Sequence, residues 1–227
     1  MLEAMRAYIF DLNGTLVPIP PDEASNASME ECARLLAVDA VAFREWWVGS
    51  FQERNLGIWG STSTLFFREL LLRHGLQRPP NMLEEAAQAR RAFTRRTAQL
   101  SDDARRCLAR LRQAGHPVGI ITACGPSLPE VWQDLELASF VDHVQFSVLV
   151  GMMKPDSRCY QAMATELGVL TSSCTFIGDG AGDELVGARA VGCHPIKVRG
   201  EMPARFEWTN SKWNGDTVCD LDEIHAL

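Results

Sequence analysis

The sequence of 227 residues predicts an α/β protein: a Rossmann-like parallel sheet with an all-helical subdomain inserted after its first strand. Three observations carry this expectation. Five short apolar runs alternate with segments of helical periodicity, the order that builds a parallel sheet covered on both faces. Residues 17–99 break the alternation and read as helical throughout. Several of the apolar runs lead straight into turns bearing carboxylate or hydroxyl groups, the place where such sheets bind ligands.

The first run, Ala7–Leu12, reads as a buried strand with its turn at Gly14. Pro18, Pro20 and Pro21 mark the entry to the insert. Ser28-Met29-Glu30-Glu31 suits a capping box before a helix over Cys32–Val38, and further helices are expected over Ala40–Arg54, Thr64–His74 and Met82–Ala98. Ser101 caps the next helix, with Asp102 and Asp103 in its first turn where the dipole favours acids. Ala104, Cys107, Leu108 and Leu111 continue it at i, i+3, i+4, i+7 until Gly115. Strands follow over Val118–Thr122, Val144–Val148, Thr175–Gly178 and His194–Val198, with helices at Tyr160–Leu167 and Gly182–Val191. The expected division is a core of residues 1–16 and 100–227 and a cap of residues 17–99.

Composition narrows the function. The chain is 46% hydrophobic and 22% charged, which excludes a disordered chain. Its 22 basic against 29 acidic residues give a net charge of -7, which speaks against nucleic acid or an anionic membrane as the main partner. No apolar run is long enough to span a bilayer. Seven scattered cysteines without a C-x-x-C pair indicate buried thiols rather than a disulfide framework or a structural zinc site. A cytoplasmic enzyme, monomeric or homodimeric, is expected.

Four places carry chemistry: Asp11-Leu12-Asn13-Gly14-Thr15, Thr122-Ala123-Cys124-Gly125, Lys154 just before a helix, and Gly178-Asp179-Gly180-Ala181-Gly182-Asp183. If they converge, Asp11 can attack phosphorus. Asp179 and Asp183 suit a hard cation such as Mg2+. Thr122, Lys154 and backbone amides can hold phosphate oxygens.

These segments, FDLNGTL, IIT, the lysine of MMKPD and GDGAGDELVGARAVG, resemble in order the four motifs of the haloacid dehalogenase (HAD) superfamily, with residues 17–99 in the place of its helical cap. The branch resembled is that of phosphoglycolate phosphatase and β-phosphoglucomutase. The resemblance implies a Mg2+-dependent phosphatase of a small phosphorylated metabolite, working through a phosphorylated aspartate. It implies Asp11 as nucleophile and metal ligand, Thr122 and Lys154 on the phosphoryl group, Asp179 and Asp183 at the metal, and the Asn13 carbonyl as a further metal contact. Gly14, Thr15, Ala123 and Cys124 line the substrate side.

Asn13 departs from the pattern. Phosphatases of the family have aspartate there, which protonates the leaving group and then activates water; an amide does neither, and such help is worth on the order of 10²–10⁴-fold. Three accounts stay open: a replacement of a natural aspartate that slows turnover, a natural phosphatase working without the acid, or a different reaction. Phosphonate cleavage through a Schiff base needs a cap lysine, and the three lysines, Lys154, Lys197 and Lys212, all lie outside the cap. Dehalogenation with the same nucleophile is the runner-up, and a silent phosphometabolite-binding relative is the third reading. Within the cap, Trp47 and Arg54 are expected to face the substrate, whereas Arg90, Arg91, Arg95 and Arg96 read as a solvated helix face.

Overall fold

Every residue of β1 (Ala7–Phe10) is buried, because the strand lies in the middle of the sheet with helices over both faces. The computed structural model describes residues 6–198 and 213–224. Its other strands are β2 (Val118–Thr122), β3 (His143–Phe146), β4 (Cys174–Gly178), β5 (His194–Val198) and β6 (Thr217–Val218). They form one six-stranded parallel sheet in the order β3-β2-β1-β4-β5-β6. Alternation along β1 sorts its side chains. Tyr8 and Phe10 pack with Cys107, Leu108 and Leu111 of α6 (Asp102–Gln113), while Ala7 and Ile9 pack with Tyr160 and Met163 of α9 (Ser157–Glu166).

Five helices precede α6: α1 (Asp22–Leu35), α2 (Ala40–Gly49), α3 (Phe51–Asn55), α4 (Ser63–Arg73) and α5 (Pro80–Thr97). All but α3 share a separate apolar cluster that includes Cys32, Phe43, Phe66, Phe67, Leu70 and Ala87. The amide of Ser101 donates to the Leu16 carbonyl at 3.1 Å, so entry and exit of the inserted segment are tied together at the sheet. After β2 come α7 (Ser127–Val131), α8 (Ser147–Val150), α9 and α10 (Glu184–Ala190). No described helix is long and apolar enough to cross a membrane.

Three local expectations are corrected, and one short strand lies outside them. Ser28 does not cap a helix: α1 starts six residues earlier, after Pro21, whose fixed φ and acidic followers Asp22 and Glu23 provide the start. The Ser28 hydroxyl instead accepts from Arg90 Nη1 at 3.0 Å. The helix expected over Ala40–Arg54 breaks at Ser50. The apolar run Val144–Val148 does not stay extended, because Ser147 begins α8 and its Oγ accepts from the Cys124 amide at 3.0 Å. Strand β6 was not foreseen, since two residues leave no periodicity to read.

The arginines of α5 divide: Arg90 and Arg91 are half-buried rather than solvated, while Arg95 and Arg96 are exposed. Thr94 and Ser127 hydroxyls meet at 2.9 Å, Arg95 Nε reaches Asp134 at 2.8 Å, and Arg91 lies 3.7 Å from Glu130, whose carboxylate also accepts from the Ser63 amide at 3.0 Å. Arg90 and Arg96 lie over the ring of Phe93. This face of α5 seats the helical insert on α7.

Candidate active site

The chain runs from β1 to one side of the sheet, through β2 and β3, and returns to the other side at β4. The crevice at such a switch point lies outside the carboxyl ends of β1 and its neighbours. Asp11 stands there, one residue past β1, with its amide held by the Ile177 carbonyl at 2.8 Å. The register of β1 with β2 and β4 sets Thr122 and Asp179 on either side of it.

Asp11 is buried, and its two oxygens have different partners. Oδ1 accepts from Lys154 Nζ, and Oδ2 accepts from Thr15 Oγ1 at 3.3 Å. Lys154 Nζ also donates to Glu184 Oε2 at 2.6 Å. Glu184 Oε1 accepts from the Gly180 amide at 3.0 Å, and Asp179 Oδ1 from the Ala181 amide at 2.8 Å. Asp11, Asp179 and Glu184 each present one carboxylate oxygen within 4.8 Å of the others, the set of cation-ligating side chains found among the described residues. A Cβ on Gly14, whose φ is +86°, would strike the Asp179 carboxylate, and a Cβ on Gly178 would strike that of Glu184. Glycine is therefore required at both places for the carboxylates to stand where they do.

Charge in this pocket is unbalanced. Burial pushes the Asp179 carboxyl up to about 6, and the charge of Asp11 pushes in the same direction. Burial pushes Glu184 up to about 8, with Lys154 opposing and Asp11 and Asp179 assisting. Burial alone would lower Lys154, but Asp11 and Glu184 together outweigh it and hold the ammonium above its ordinary range. Three carboxylates thus face Lys154, with Lys197 acting on Asp179 from the side of Gly180, a donor set of hard oxygens that suits a divalent cation such as Mg2+.

Thr122 at the end of β2 is 1% exposed, and its Oγ1 has no hydrogen-bond partner among the described residues. Buried hydroxyls are normally satisfied, so this one is free to meet a ligand. Ala123 is half-buried beside it.

The structure therefore brings together Asp11, Gly14, Thr15, Lys154 and Asp179, with Thr122 on the neighbouring strand. Asn13 is exposed and bridges backbone to Val17. Asp183 is exposed, has φ +59°, and lies outside the carboxylate group; Glu184 occupies that place. Its signal was present in the sequence: Glu184 lies three and four residues before Gly187 and Ala188, on the buried face of α10. Cys124 is packed in the main core, with burial pushing its thiol up to about 12, rather than lining the open side. Trp47 is half-buried among Phe43, Phe66 and Phe67 in the helical insert, and Arg54 is buried against it.

Comparison with known proteins identifies what the chain is similar to. A family model described as haloacid dehalogenase-like hydrolase matches residues 5–192. A phosphatase of Mycobacterium tuberculosis is 41% identical over 103 residues, 44% of this chain and 47% of that protein, so the match spans about half of its length. Ribulose-1,5-bisphosphate 5-phosphatase of Halopiger xanaduensis is 28% identical over 199 residues, 84% of this chain and 83% of that protein. (S)-2-haloacid dehalogenase 4A of Burkholderia cepacia is 25% identical over 233 residues, covering 97% and 95%. Among solved structures, a HAD phosphatase from Thermococcus onnurineus superposes with a TM-score of 0.64 at 20% identity, covering 96% and 94% of the two chains. A HAD-family enzyme from Bacteroides thetaiotaomicron, solved as an aspartate-to-alanine mutant with magnesium and inorganic phosphate, gives a TM-score of 0.63 at 14% identity, covering 88% and 97%.

Proposed function

Because the chain belongs to the haloacid dehalogenase-like hydrolases, we propose that it is a Mg2+-dependent phosphatase that removes phosphate from a small phosphorylated metabolite through a phosphorylated Asp11. The observation that carries this reading is the group of three buried carboxylates held around Lys154, beside a buried Thr122 hydroxyl with no partner among the described residues.

In this reading one carboxylate oxygen of Asp11 attacks phosphorus as the ester oxygen leaves, and water then attacks the same phosphorus to release phosphate and restore Asp11. Lys154 holds Asp11 in place and, with Thr122 and the amides of Leu12 and Asn13, carries charge on the phosphoryl oxygens. Asp11, Asp179 and Glu184 would hold the metal, with the Asn13 carbonyl beside them, and the metal would neutralise charge at the transferring group. We assign the third carboxylate role to Glu184 rather than Asp183. The Asn13 carboxamide is too weak an acid to protonate the leaving oxygen, which takes its proton from water or from the substrate, and turnover is correspondingly slow.

A dehalogenase reading has its own support: halide leaves without a proton, so Asn13 would cost nothing, and the Burkholderia dehalogenase aligns over nearly the whole chain. The two readings part in one assay. Phosphate release from a panel of phosphomonoesters with Mg2+ is measured for the chain, Asn13→Asp and Asp11→Asn, beside halide release from 2-haloalkanoates without metal. The phosphatase reading expects phosphate release that rises in Asn13→Asp and disappears in Asp11→Asn. Absence of phosphate release in every variant, or metal-free halide release, overturns it.

A further inference from the structure

β4 starts on Cys174, and Cys193 directly precedes β5. The register sets Thr175 beside His194, so the two cysteines just before them lie abreast on neighbouring strands. Such strands run about 4.8 Å apart, within the Cα separation that a disulfide spans. Both side chains enter one apolar cluster with Ala7, Phe176 and Ala188, and so point to the same face of the sheet. Cys193 is 5% exposed and Cys174 1%.

Hydrogen bonds fix the chain around the pair. Cys174 Sγ donates to the Leu170 carbonyl at 3.4 Å, Thr171 Oγ1 to the Val191 carbonyl at 2.7 Å, and the Cys193 amide to the Ala188 carbonyl at 3.1 Å. The Cys193 thiol donates to Cys174, which holds the Cys174 thiol below its usual range. Burial instead pushes the thiols of Cys32 and Cys159 up to about 11, and those of Cys107 and Cys124 up to about 12. Among these thiols Cys174 is the one biased towards the thiolate, the nucleophilic form.

We propose that Cys174 and Cys193 form a reversible redox pair, two thiols that hydrogen peroxide converts into a disulfide joining the starts of β4 and β5. The Cys174 sulfur attacks one peroxide oxygen and the O–O bond breaks; the departing hydroxide takes the Cys174 proton as water, leaving a sulfenic acid. The Cys193 sulfur then attacks that sulfur. The S–S bond forms as the S–O bond breaks, and the hydroxyl leaves with the Cys193 proton as a second water. Two thiols are oxidised and one peroxide is reduced. The disulfide closes a loop of about twenty residues that contains β4, Asp179, Glu184 and α10. It lies at the end of β4 opposite the crevice, and so staples the segment carrying two of the three carboxylates without touching them. The pair needs nothing of the phosphatase reading.

The full chain in a Cys219→Ser background, which removes the exposed thiol, is treated with hydrogen peroxide, alkylated under denaturing conditions and mapped by mass spectrometry. A Cys174–Cys193 linked peptide that dithiothreitol reverses is expected. The melting temperature should rise on oxidation by about 6–12 °C, the shift for a closed loop of this length, and Cys174→Ser or Cys193→Ser should abolish the rise. Full alkylation of both thiols after oxidation, a link from either cysteine to a different one, or oxidation beyond the sulfenic acid without a link overturns the pair. A link that leaves the melting temperature unchanged overturns the staple. The mapping is made on the intact pair, so it decides even where a serine variant fails to fold.

Discussion

Glu184 Oε2 accepts from Lys154 Nζ at 2.6 Å although 30 residues separate them in the chain. The same ammonium holds Asp11, so the lysine joins the nucleophile candidate to a carboxylate from α10. Gly178 leaves room for that carboxylate, and the Gly180 amide orients its other oxygen. Tyr160 Oη donates to the Glu184 carbonyl at 2.7 Å and fixes the start of the helix.

Replacing Glu184 is therefore expected to act on metal binding. Glu184→Gln should weaken Mg2+ binding by at least about 10- to 100-fold, the scale on which groups around a metal site act. Asp183→Asn, altering an exposed side chain one residue away, should change it by less than about threefold. Calorimetric Mg2+ titration of both variants decides; a larger loss in Asp183→Asn would return the role to Asp183.

Stability of the metal-free protein should fall as pH rises through the physiological range. Glu184 goes from 4.5 to about 8 on folding and Asp179 from 3.8 to about 6, so between those limits the folded chain holds protons that the unfolded chain has released. Where the native state binds more protons, rising pH destabilises it. Saturating Mg2+ should flatten the slope by favouring the ionised carboxylates. Melting temperatures in a chelator and in excess Mg2+, taken from about pH 5 to pH 8, provide the comparison. A chelator curve that rises over this window would contradict the assignment.

Thr122→Val separates function from stability. Valine keeps the shape and removes a buried hydroxyl that has no partner among the described residues, so the ligand-free fold should gain about 1–3 kcal/mol. Inorganic phosphate should bind at least about tenfold more weakly. Denaturant unfolding and phosphate titration measure the two effects, and loss of stability in Thr122→Val would show that the hydroxyl has a partner in the ligand-free protein.

Gly14→Ala should disable the site through one methyl group. The new Cβ meets the Asp179 carboxylate, and φ at +86° is itself unfavourable for alanine, a strain on the order of 1–3 kcal/mol. Loss of Mg2+ binding with the fold retained, seen by circular dichroism, is the expected result. Unaltered Mg2+ affinity would mean that Asp179 is free to move aside.

The alternation of apolar runs with helical periods was enough to place five of the six strands and the helices that cover them, because burial on two faces leaves a strong mark on composition. The positions of Asp11, Lys154 and Asp179 were legible for a related reason: each follows directly on a strand end or leads into a helix. Fine boundaries were not. Val144–Val148 is apolar enough for a strand, yet a hydroxyl from Ser147 to the Cys124 amide turns the chain into α8. Arg91 of α5 looks solvated until Glu130 is brought against it from more than thirty residues away.

Local sequence by itself thus determined the fold class, the order of the elements and the residue types that reach the crevice, since these follow from periodicity and turn chemistry. Which of the adjacent acids Asp183 and Glu184 turns inward was decided only by the tertiary structure, through the left-handed Asp183 and the buried face of α10. The same holds for Cys174 and Cys193, which are separated in the chain by a whole helix and stand abreast in the sheet. Adjacency across strands is a property of three-dimensional neighbours, and no spacing in one dimension records it.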